Sequence, residues 1–116
     1  MLRPATFRAL FWLATIFAVT MAVIPQPPYT PIAEFGDKVE HVVAFAVLAT
    51  LACLGFGEAA KRLIVERLSF LGAAIEVVQS IPALNRDCDV RDWLVDTATV
   101  ALVALAFAAW EKRRRR

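Results

Sequence analysis

The chain alternates long apolar runs with short polar breaks. Four runs stand out, over residues 5–24, 37–56, 63–81 and 92–110. Each is close to the roughly 20 residues that a helix needs to cross a hydrocarbon layer of about 30 Å. The breaks carry turn chemistry. "IPQPPYTP" puts four of the six prolines directly after the first run. Proline lacks the amide proton a helix needs and clashes with the preceding turn, so the first helix is predicted to stop near Ile24. "GFGEAAKR" separates the second and third runs, and "SIPALNRDCDVRD" the third and fourth. There is no internal repeat and no low-complexity tract beyond the terminal "KRRRR". The pattern predicts an all-α protein: one domain over residues 1–116, built as an integral membrane bundle of four transmembrane helices.

Composition agrees. The chain is 59% hydrophobic with a mean hydropathy of +0.60, against roughly 45–50% apolar in soluble domains. The net charge of +2 conceals a strong asymmetry. Arg3, Arg8, Lys61, Arg62, Arg67, Lys112 and Arg113 to Arg116, ten of the thirteen basic residues, fall on one side of a four-span chain. Lys38, Arg86 and Arg91 fall on the other. Basic short loops stay in the cytoplasm, so both termini are expected inside. The charge gives no basis for a nucleic-acid partner. A signal peptide also fits the first run, with Arg3 and Arg8 as its basic region and Thr20 to Ala22 as a weak cleavage site. The run is long for that role, and retaining it makes the even span number agree with the basic tail.

Acidic residues partition the opposite way. Glu34, Asp37, Glu40, Glu76, Asp87, Asp89, Asp92 and Asp96, eight of eleven, gather at the outer end with His41, the only histidine. Residues three and four apart share a helix face. That spacing joins Asp37 and Lys38 to His41, Glu76 to Gln79, and Asp89 to Asp92 and Asp96. Glu76 and Asp96 should lie about five residues, or ~8 Å, inside their helix ends, where ionisable groups normally face the bundle interior with a partner.

Taken singly, many of these residues have a structural reading. Asp37 and Asp92 suit helix caps. Lys38, Glu40, Asp87 and Arg91 suit solvated loop charges, Arg86 with Asp89 an ion pair, and His41 a satisfied interior histidine. Trp12, Trp93 and Trp110 suit interfacial anchors. These readings do not explain why Asp37, His41, Glu76, Gln79, Arg86, Asp89, Asp92 and Asp96 share one end. The cysteines add little: Cys88 belongs to an outer loop, and Cys53 lies ~24 Å deeper along its helix, too far for a disulfide, so Cys53 is expected to be a small core residue.

The motifs "DKVEHVVAF", "IEVVQ" and "NRDCDVRDWLVDTAT", in this order, resemble the VanZ-like family of small bacterial membrane proteins, named for a teicoplanin-resistance protein. The family tends to show Asp-Lys-x-x-His opening one span, Glu-x-x-Gln closing the next, and Arg before an Asp-rich start to the one after. The resemblance covers residues 37–109 and rests on Asp37, Lys38, His41, Phe45, Glu76, Gln79, Arg86, Asp89 and Asp92. Asp96 stands where the family often has Asn, and Thr99 where it often has Gly. The extra carboxylate makes the cluster more acidic, and the missing Gly is expected to loosen helix packing there. The resemblance implies a multi-pass protein of the bacterial cytoplasmic (inner) membrane with a role in the cell envelope and in glycopeptide resistance.

Three functions compete. In the first, Asp37, Lys38, His41, Glu76, Gln79, Arg86, Asp89, Asp92 and Asp96 bind the polar part of a membrane lipid, a lipid-linked cell-wall component or a glycopeptide-type ligand. Arg86 and Lys38 would meet phosphate or carboxylate. In the second, the protein is an enzyme on a lipid headgroup, with His41, Glu76 and Asp92 as the catalytic candidates for acid–base work. The third, ion or proton movement, ranks last because no polar stripe continues to the inner side. No cofactor is evident, although a divalent cation could sit among Glu76, Asp89, Asp92 and Asp96, and self-association into a homo-oligomer stays open. No Ser-His-Asp order, phosphate-cradling glycine loop or zinc-ligand spacing is present.

Overall fold

The computed structural model describes residues 3–25, 36–57, 59–84 and 89–115. They form four helices: α1 (Pro4–Val23), α2 (Asp37–Gly55), α3 (Lys61–Gln79) and α4 (Val90–Arg114), with a 3₁₀ turn at Pro82–Leu84. No strand occurs among the described residues.

Local chemistry sets the boundaries. Pro4 opens α1, where a missing amide proton is harmless. Ile24 turns extended (φ −72°, ψ 142°), the conformation that a following proline imposes. Gly36 enters α2 at φ +104°, a region that an L side chain rarely adopts. Asp89, rather than Asp92, caps α4: its carboxylate accepts from Arg91 N at 2.9 Å. Lys112, Arg113 and Arg114 fill the last turn of α4, where cations favour the helix dipole.

Paired ends define an up-down-up-down bundle. At one end Arg8 Nη1 donates to Gly55 O (3.1 Å) and Lys61 Nζ to Glu111 Oε1 (3.0 Å). At the other, Gln79 Nε2 donates to Ala22 O (2.9 Å), and Lys38 meets Asp89 and Asp92. The basic sequence regions therefore share the first end and the acidic ones the second. The core is a stripe on α2 at helical spacing (Phe45, Leu48, Ala49, Ala52) against Ile64, Leu68 and Ile75 of α3 and Val100 and Ala104 of α4. Cys53 is buried here as a free thiol, and Cys88 lies outside the described residues. In α1 only Phe11 is buried; this helix packs chiefly on α2.

The expectation of four spans is met in part: among the described residues, α1, α2 and α4 are long and apolar enough to cross a membrane by length and composition. α3 carries Lys61, Arg62, Glu66 and Arg67 in its first two turns. Trp93, expected as an interfacial anchor, is half-buried, and its Nε1 donates to Ser69 O at 3.0 Å, tying α4 to α3. Trp12 and Trp110 are exposed, and Arg114 stacks over Trp110 at 4.8 Å. Gly72 of α3 lets α4 come close: a Cβ there would stand 3.1 Å from Asp96 Oδ2 and 3.5 Å from Trp93. Small residues let helices approach where lipid offers no hydrophobic drive.

Candidate functional site

The first turn and a half of α2 carries Lys38 and His41 on one face. The last turn of α3 carries Glu76 and Gln79, and the first two turns of α4 carry Asp92 and Asp96. Because α2 and α4 run parallel and α3 antiparallel to both, these faces meet.

Lys38 Nζ lies 3.1 Å from Asp92 Oδ1 and 3.3 Å from Asp89 Oδ2. His41 Nδ1 lies 2.9 Å from Asp96 Oδ1, and His41 Nε2 lies 3.7 Å from Asp92 Oδ2. With Asp96 ionised, Nδ1–H donates to its Oδ1 and Nε2 faces Asp92. Glu76 Oε2 accepts the Asp89 backbone N–H at 3.0 Å, which ties the end of α3 to the start of α4. Asp92 and Asp96 are essentially inaccessible, at 2% and 0%, and Glu76 is 6% exposed. Buried charges of this kind persist only with partners. Asp89, at the rim, has its carboxyl held below the usual range by the Arg91 backbone N–H and then by the Lys38 ammonium.

Of the residues expected at this end, the structure brings Lys38, His41, Glu76, Asp89, Asp92 and Asp96 into one network. Gln79 sits at its edge and faces α1 instead. The Asp37 side chain and the whole of Arg86 and Asp87 lie outside the described residues. Arg91, read as a solvated charge, is exposed and sits 3.5 Å from Asp89. Asp92, read as a cap, turns inward to Lys38 and His41. His41, Glu76 and Asp92 each offer one donor atom, and these three atoms lie within 4.8 Å of one another, a grouping able to hold a metal ion.

Beside the network runs a groove of about 300 Å³ between α1, α2 and α3. Its walls include Ala14, Phe17, Ala18, Met21, Ala44 and Val47, and its polar mouth is Glu40, His41 and Gln79. Gln79 is 3% exposed, and its Oε1 meets no hydrogen-bond donor among the described residues. None of the polar motifs points to this groove. Its signal was present in Ala14, Ala18 and Ala22, spaced four apart, a small-residue stripe on one face of α1.

Comparison with known protein families, curated proteins and solved structures gives no match.

Proposed function

We propose that the chain is a membrane-spanning binding protein for an amphiphile, whose polar head meets the His41–Asp92–Glu76 network and whose apolar chain lies in the groove. The observation that carries this reading is the continuity of the two: His41 and Gln79 line the groove, and His41 is also the centre of the polar network. Residues lining the groove come from the outer halves of α1 and α2, the depth of one leaflet.

The outward surface supports membrane insertion. Leu13, Ile16, Phe17, Leu102 and Leu105 are all more than 60% exposed, far more apolar surface than a soluble monomer presents. α3 crosses with its neighbours in this reading. Its outer face holds Phe70 and Val77, 76% and 69% exposed, and its charges lie near the basic end, where Lys and Arg stems can reach the interface. A reporter active only outside the cytoplasm, fused after Arg116, is expected to be inactive; an active fusion would mean an odd number of crossings.

The VanZ-like motifs suggest the ligand class: a lipid or lipid-linked cell-wall component of the bacterial envelope, with glycopeptide (teicoplanin) susceptibility as the physiological readout. Ala18→Phe and Ala44→Phe put a ring into the groove and should each lose most of the lipid that co-purifies in mild detergent, measured by native mass spectrometry. Leu102→Phe, on the exposed face of α4, should not. Undiminished lipid in both groove variants would refute the reading. A second reading, an enzyme on a lipid headgroup, is favoured by one observation: Asp96 orients His41 as a positioned acid–base group needs. It requires headgroup turnover that His41→Gln abolishes.

A further inference from the structure

We propose that His41 Nε2, one carboxylate oxygen of Glu76 and one of Asp92 bind a divalent transition-metal ion of the zinc class at the mouth of the groove. This rests on and deepens the amphiphile reading, since such an ion would face a phosphate or carboxylate headgroup.

The first support is geometric. Three donor atoms within 4.8 Å of one another leave, by plane geometry, a point within about 2.8 Å of all three. Zinc takes imidazole nitrogen at about 2.0–2.1 Å and carboxylate oxygen at about 2.0–2.2 Å. Side-chain closure of under about 1 Å per ligand completes the shell. Each ligand comes from a different helix, as in metal sites built in bundle cores. One imidazole with two carboxylates gives three protein ligands and leaves a fourth position for an outside donor.

The second support is the orientation of His41. Its Nδ1 is 2.9 Å from Asp96 Oδ1, and Asp96 is fully buried. Metal-ligating histidines commonly donate their other N–H to a carboxylate in this way, which fixes the tautomer and strengthens the ligand. With the proton on Nδ1, the Nε2 lone pair points toward Asp92 Oδ2, 3.7 Å away.

The third support is ligand placement. Lys38 meets Asp92 through Oδ1, which leaves Oδ2 turned toward His41. Asp89 N–H holds Glu76 through Oε2, so the ligand is fixed before any ion arrives.

The experiment uses the full chain in mild detergent, stripped with a chelator and re-equilibrated with Zn²⁺ or Co²⁺. One zinc per chain is expected by elemental analysis, with the strong visible absorption of four-coordinate cobalt. His41→Ala and Glu76→Gln should weaken zinc binding by more than about 100-fold, and Asp96→Asn by about 10- to 100-fold. Lys61→Gln, at the opposite end, should leave it unchanged. Wild-type protein that takes up no zinc above a blank and gives no cobalt spectrum overturns the proposal without reference to any variant. Equal affinity in wild type, His41→Ala and Glu76→Gln overturns it too. Lipid retention by the stripped protein separates the two readings. Lipid kept without zinc uptake sinks only the ion, and zinc uptake without lipid sinks only the amphiphile.

Discussion

Asp96→Ala is expected to destabilise the bundle by roughly 1–3 kcal/mol, the cost of leaving a buried hydrogen-bond donor without its acceptor. Asp96 is fully buried and accepts from His41 Nδ1, whose side chain is only 12% exposed. Alanine would leave the imidazole without that acceptor in a water-poor site and open a space beside Gly72. Asp96→Asn keeps the shape and an acceptor, so its cost should fall to about 0.5–1.5 kcal/mol, the net worth of one hydrogen bond. Equilibrium unfolding in mixed detergent measures both. An alanine variant as stable as wild type would show that His41 and Asp96 do not support one another.

Gly55→Val should separate α1 from α2. A Cβ at Gly55 would stand 2.9 Å from Arg8 N and 3.2 Å from Arg8 Cα. Those are backbone atoms, so a side-chain rotation cannot make room and the whole helix must shift. Overpacking of this kind costs about 1–3 kcal/mol, and the Arg8 Nη1 bond to Gly55 O would be lost with it. Since Ala14, Ala18 and Ala22 form one wall of the groove, lipid retention should fall along with the melting temperature. Gly57→Ala is the matched control, because its Cβ would meet only Cys53 O at 3.7 Å. If both variants melt alike, the α1–α2 approach is not as close as described.

The helices were legible because they are written locally. Apolar runs bounded by prolines and glycines placed α1 and α2 within a residue at each end and α3 within two. α4 ran past Trp110 to Arg114 because Lys and Arg are good helix formers and favour a carboxyl end. The meeting of His41, Glu76, Asp92 and Asp96 was legible from three- and four-residue spacing on helices that end together. What escaped was rotational phase and inter-helix distance. Whether Asp89 or Asp92 caps α4 decides which of them turns inward, and both carry the same side chain. Trp93 looked like an anchor because its partner, Ser69 O, is a backbone atom on another helix. The three candidate metal ligands follow no short-range spacing because each stands on its own helix. The groove depends on how far α1 stands from α2, which small residues permit without dictating.

The groove lies along the flank of the bundle, toward the acidic end of α1 and α2, and α1 has only one buried residue to hold it there. On the proposed reading, a ligand would reach such a groove sideways from the surrounding leaflet without passing through water. Its occupancy then follows its mole fraction among neighbouring lipids, and abundant phospholipids compete with it directly. A scarce ligand would need head-group selectivity that outweighs its dilution. The same compound supplied from solution would bind only as fast as it partitions.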